Sequence, residues 1–356
     1  MSFRTAFLIG LSSLAVLSQP VLAQVEVETS GTPEGAEAEE VVLRSDGLES
    51  QLDAIYAEHD FAGVLYIKKD GEVLLQKAFG EADPASGRFN QVDTIFGIGS
   101  RPIDFTIASI YLLAQRGQLS LDDTLAKYYP QAPADRAGMT LRHMMTGKSG
   151  LPDFPARPGV DWDADLAWIE RSEFERRTME IPLLFAPGAG EEHSHWAFGV
   201  LAAIVERVSG KTYEQFLQSE FFDPAGMRQT GSYGQRGDHK IEDFAVGGGV
   251  QRGLPNIPPN WGPTSWLVKG SGGMYSSLGD LLKFYAFVTD GGVLEKQYAD
   301  HFRQPAANVD GSERGFELFS FSSQDRDDVT FGFFNKNGQQ AVGKLLRPLI
   351  DFLRAD

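Results

Sequence analysis

The chain has 356 residues, 42% hydrophobic and 23% charged, which is enough apolar material for a large folded core. Its net charge is −17 and no basic cluster could follow a phosphate backbone, so nucleic acid is excluded as the expected partner. With no cysteine, disulfides, thiol catalysis and lipidation of a cysteine are excluded too.

Arg4, an apolar run over residues 6–17 and Pro20-Val-Leu-Ala23 form the three-part pattern of a secretory signal peptide over residues 1–23. The run is short for a membrane span, so the expectation is an exported, periplasmic protein with no integral span after cleavage. Residues 24–44 are acidic, carry little to bury and read as a disordered leader, and residues 45–356 read as one folded domain.

Leu48, Leu52, Ile55 and Tyr56 recur at helical spacing over residues 48–59. Residues 61–79 read as two strands around the turn Lys69-Asp70-Gly71. An extended segment, Thr94 to Gly99, then gives way to a helix. Ser100 is placed to cap it, Pro102 fits its first turn, and the apolar residues 107–116 lead to a stop at Gly117. A hydroxyl there faces the positive end of the helix.

Further helices are predicted at residues 140–145, at 166–177 on the surface, and at 198–208 and 213–222, joined by Ser209-Gly210. Residues 231–269 are rich in Gly, Pro, Asn and Trp and read as long loops of the kind that line or cap sites. A helix at 278–288, paired strands at 316–321 and 329–335, and an amphipathic helix at 342–353 complete the chain.

Ser100, followed by Thr140-Leu-Arg-His-Met-Met-Thr-Gly-Lys-Ser-Gly-Leu-Pro152, by Pro224-Ala-Gly-Met-Arg-Gln-Thr230 and by Gly272-Gly273, resembles the serine β-lactamase and penicillin-binding-protein-like hydrolases, especially the class C β-lactamase and esterase branch. The resemblance covers residues 45–356. It implies an α/β (α+β) fold, with an antiparallel sheet flanked by helices and an inserted helical subdomain. It also implies an acyl-serine hydrolase with Ser100 as nucleophile and no cofactor or metal.

All three motifs of that family are altered here. The Ser-x-x-Lys motif becomes Ser100-Arg-Pro-Ile103, so the activating lysine is missing. The Tyr-x-Asn motif becomes His193-Ser-His195 after Pro187-Gly188, which places His193 at the tyrosine and His195 at the asparagine. The Lys-Thr-Gly strand reads Val309-Asp310-Gly311, without its cation, although a loop carrying His301 or Arg314 could supply one.

The resemblance then assigns the base to His193 in a dyad with Ser100, oriented by Asp104, Glu191 or Glu192. It assigns the oxyanion hole to the backbone N–H groups of Ser100 and Ser312. His195, Gly311, Lys148 and Trp261 are the expected substrate-binding residues. The favoured reading is hydrolysis of a small ester, amide or peptide, with poor action on β-lactams. The alternative is an inactive scaffold that binds a peptide, a cell-wall fragment or a small ester. His193-x-His195 after Glu191-Glu192 also matches a metal-ligating pattern, but the sequence identifies no distant third ligand.

Overall fold

The computed structural model describes residues 41–153, 168–249, 254–312 and 314–355. Residues 1–40, and with them the expected signal peptide and most of the expected leader, lie outside the described residues. One compact unit spans Val41–Asp356. It begins earlier than the leader boundary implied, because Leu43 is buried among the apolar residues of the terminal helices.

The framework is a five-stranded antiparallel sheet in the order Glu72–Phe79, Ala62–Lys69, Val329–Lys336, Phe316–Ser322, Ala306–Ser312. Side chains alternate across a strand, so the central strands serve two cores at once. Val64, Tyr66, Leu318, Phe331 and Phe333 face the larger core, while Leu65, Ile67, Phe319, Phe321 and Phe334 face the smaller one. The smaller core is closed by helix Leu48–His59 and the C-terminal helix Gly338–Arg354, whose Leu345, Leu349 and Phe352 form the apolar stripe. Asp70 and Gly71 take the left-handed conformations that a tight two-residue hairpin requires.

The larger core holds helix Pro102–Gln115, which is buried nearly all round as its apolar composition predicts, beside helix His195–Ser209. A second, three-stranded sheet joins Ile95–Gly97, Met274–Ser277 and Gly231–Ser232. The last of these is a strand that the loop-like composition of residues 231–269 concealed. Among the described residues, no helix is long and apolar enough to cross a membrane.

One element is displaced from its sequence reading. The helix expected over residues 166–177 runs Arg171–Glu180, and residues 166 and 167 lie outside the described residues. Its first turn carries Glu173, which pairs with both Arg176 and Arg177. These i,i+3 and i,i+4 pairs extend the helix C-terminally. Phe174 is buried against Trp196, with ring centroids 5.3 Å apart, so this face is docked and not a free surface.

The sheet's edge carries one electrostatic cost. Glu317 lies across Gly311, where a Cβ would meet its Oε2 at 2.2 Å, and burial pushes its carboxyl up to about 7, with Asp310 adding repulsion against the bond to Gln339. The folded state therefore holds this proton to higher pH than the unfolded chain, so the wild type loses stability as pH rises through the interval up to about 7. Glu317→Gln should match wild type in acid and exceed it by about 1–2 kcal/mol at pH 8, allowing for solvent screening. Urea unfolding at the two pH values checks this, and a difference independent of pH would contradict it.

Candidate active site

Three chain segments meet at Ser100. Gly99 takes a left-handed φ of 52° to turn the strand into the helix, and a Cβ on it would lie 3.0 Å from the Gly311 backbone nitrogen. The third-motif strand Ala306–Ser312 therefore runs directly past the nucleophile turn, with Gly311 exposed and Ser312 at its end. Ser100 does not cap the helix, because that position falls to Arg101 and no side chain closes it. The hydroxyl is instead directed to a histidine: Ser100 Oγ is 2.9 Å from His195 Nε2.

The histidine is held from behind. Ser194 caps helix His195–Ser209, with Oγ accepting from Ala197 N at 3.1 Å and donating to the Pro152 carbonyl at 2.8 Å. His195 is then the first helical residue, and its N–H has no partner within the helix. Asp153 supplies one. Its Oδ1 accepts from the His195 backbone N–H at 3.0 Å and lies 2.6 Å from the ring Nδ1. The Asp153 carbonyl accepts from Trp196 N at 3.1 Å. The turn before Asp153 requires Gly150, whose φ is 78° and where a Cβ would strike the Phe185 carbonyl at 2.1 Å.

Burial alone would raise the Asp153 carboxyl, but the hydrogen bonds from the His195 ring and backbone outweigh it and hold the group below its ordinary value. An ionised carboxylate only accepts, so the ring proton belongs on Nδ1, and Nε2 accepts the Ser100 O–H. The arrangement is a hydrogen-bonded serine–histidine–aspartate chain.

The expected partners are placed differently. His195, expected to bind substrate, is the histidine bonded to Ser100, whereas His193, expected as the base, is exposed with its ring centroid 4.7 Å from that of His195. The cause is the Ser194 cap, which brings the residue after it, not the one before, to the helix start. Although the residue is exposed, neighbouring chain shields part of the His193 ring from water, and this, with the neighbouring His195, lowers its basicity. Of the proposed orienting groups, Asp104 accepts the Tyr285 hydroxyl at 2.5 Å, and Glu191 and Glu192 are exposed. Asp153 was missed. Its signal was a lone carboxylate directly after the Ser149-Gly-Leu-Pro152 turn.

Lys148 is exposed and makes no bond to Ser100. Trp261 is only 9% exposed, its Nε1 donates to Asn256 Oδ1 at 2.8 Å, and its ring packs on Tyr233, so it is an interior wall and not an open platform. The Ser312 hydroxyl is buried without a hydrogen-bond partner among the described residues. Arg314 lies over the Trp261 ring, 5.0 Å from its centroid, and His301 packs edge-on against Tyr111 and Phe302. Neither bonds to Ser100.

The cation that follows the nucleophile has a structural task. Arg101, 7% exposed, pairs through Nε with Asp310 at 2.8 Å and through Nη1 with the Tyr285 hydroxyl at 3.3 Å. Burial works against its charge, but Asp310, Tyr285 and Asp104 outweigh that and keep the guanidinium charged. This ion pair ties the serine-bearing helix to the third-motif strand. Ile103, read from the sequence at the family's lysine position, packs against the core, and Val309, read at its basic position, is 46% exposed.

The sequence profile of the Beta-lactamase family matches residues 46–343. The chain belongs to the beta-lactamase family. Among curated relatives of this family member is penicillin-binding protein 4* of Bacillus subtilis (strain 168), 26% identical over 302 residues, with 82% of this chain and 64% of that protein covered. The chain thus spans less than two thirds of that relative's length. Esterase EstB of Burkholderia gladioli is 28% identical over 308 residues, covering 77% of this chain and 78% of the esterase. A class C beta lactamase from Rhodobacter sphaeroides shares the fold, with TM-score 0.69 and 17% identity over 86% of this chain and 99% of that one. The beta-lactamase fold is therefore retained around a rebuilt set of polar side chains.

Two outcomes are expected. Arg101→Met leaves Asp310 buried and unpaired and should cost about 3–5 kcal/mol by chemical denaturation, most of it recovered on adding Asp310→Leu. An unaltered stability in the single variant would contradict the role given to the pair. A chromogenic cephalosporin should be turned over poorly, because position 309 offers no cation for the antibiotic's carboxylate. Rapid turnover that is lost in Ser100→Ala would refute this.

Proposed function

We propose that this protein is a serine hydrolase that cleaves small carboxylic esters or amides through an acyl-Ser100 intermediate, with His195 as general base and Asp153 as its orienting carboxylate. The observation that carries the reading is the continuous chain from Ser100 Oγ through His195 Nε2 and Nδ1 to Asp153 Oδ1, at 2.9 and 2.6 Å. A serine hydroxyl is a poor nucleophile without a base within hydrogen-bond reach, and His195 supplies one where the family's lysine and tyrosine are both replaced.

In the forward step, Ser100 Oγ attacks the carbonyl carbon while its proton passes to His195 Nε2. The resulting imidazolium is stabilised by Asp153 and returns the proton to the leaving alcohol or amine. Water then repeats the sequence on the acyl-enzyme, and the free acid leaves with Ser100 restored. The backbone N–H groups of Ser100 and Ser312 are the candidate oxyanion donors, since the third-motif strand runs against Gly99. Similarity to Esterase EstB supports the ester as the first substrate class to try.

A fluorophosphonate should label Ser100, and short acyl esters should be hydrolysed. Ser100→Ala should abolish both. His195→Ala and Asp153→Asn should each lower kcat on the order of 10³–10⁴-fold with the fold intact. His193→Ala should leave labelling and turnover near wild type. Loss of labelling in His193→Ala together with its survival in His195→Ala would overturn the assignment.

A further inference from the structure

His193 has no part in the hydrogen-bonded chain, yet it stands beside it. One ligating atom from each of Asp153, His193 and His195 lies within 4.8 Å of the other two. Zinc bonds of about 2.0–2.2 Å set neighbouring ligand atoms roughly 3.3 Å apart, so small side-chain rotations would converge these three atoms on one ion. The backbone that carries them is already fixed. Ser194, between the histidines, is bonded to Pro152 and Ala197, and Asp153 is bonded to the backbone of His195 and Trp196. The sequence showed only the His-x-His pair; folding adds the carboxylate from a chain segment 40 residues earlier.

We propose that Asp153, His193 and His195 form a divalent-metal site for zinc, and that its occupation silences the hydrolase. Two imidazoles with one carboxylate suit a borderline ion such as zinc, whereas magnesium and calcium prefer all-oxygen shells. The silencing follows from the two nitrogens of His195, because both are already committed. Ligation through Nε2 takes the lone pair that receives the Ser100 proton. Ligation through Nδ1 removes the proton shared with Asp153 and leaves the other nitrogen without the acceptor role. Either way the metal and the working base exclude each other. This second half rests on the proposed function, while the metal site itself does not.

The test uses the metal-stripped full chain, with zinc chloride as the calorimetric titrant and ester turnover as a separate readout. One zinc should bind per chain, and Ser100→Ala should bind it as wild type does. His193→Gln should bind at least about tenfold more weakly, because one of three ligands is gone. Zinc should inhibit turnover in step with occupancy, a chelator should restore it, and magnesium should do neither. His193→Gln, with wild-type basal turnover, should need at least about tenfold more zinc for the same inhibition. No saturable binding, or binding unchanged in His193→Gln, would overturn the site. Full turnover by the zinc-loaded protein would overturn the silencing. Zinc bound through His193 by a protein that cleaves no ester would keep the site, and would sink the proposed function together with the silencing.

Discussion

The pair of hydrogen bonds from His195 to Asp153 is the constraint on which the rest of the site depends. One carboxylate oxygen accepts both the backbone N–H that begins a buried helix and the ring N–H of the same residue. The first contact satisfies a donor that every helix leaves open, and the second fixes the tautomer that directs Nε2 at Ser100. A single side chain thus links secondary-structure formation to the orientation of the imidazole that faces Ser100. Removing it leaves a helix end unsatisfied and an imidazole without a defined direction.

Around that point, the fold redistributes charge. Ile103 and Val309 are apolar where the sequence reading expected the family's cations, and Arg101 at the helix start is locked into a buried pair with Asp310. The surroundings of Ser100 are therefore held together by a buried ion pair, while the Ser100 hydroxyl itself bonds to His195. The pair is a tether between two motifs that must stay in register, since the Gly99 turn and the Gly311 strand are in direct contact.

Much of this was legible in the sequence, for physical reasons that differ from element to element. Helix Leu48–His59 and the hairpin turn at Asp70-Gly71 follow from apolar spacing and from turn residues, which are local signals. The buried helix after Ser100 follows from its uniform apolar composition. The site was legible only as a neighbourhood. The spacing from Pro187 put two histidines near Ser100, but which one faces it depends on the Ser194 cap, whose hydroxyl is also held by the Pro152 carbonyl. Asp153 showed in the sequence only as a carboxylate after the Pro152 turn, because its role needs a contact across 42 residues, for which a single sequence carries no periodic signal. Trp261 looked like a cleft wall from its loop, and its indole N–H instead found Asn256 in the interior.

The most direct test of this account is proton NMR of the imidazole Nδ1–H. A short hydrogen bond between His195 and an ionised Asp153 predicts a resolved, far-downfield ring-proton resonance that persists in His193→Gln and disappears in Asp153→Asn. A spectrum without such a resonance, or one whose resonance survives Asp153→Asn and vanishes with His193, would contradict the assignment of His195 and Asp153 as the base and its orienting partner.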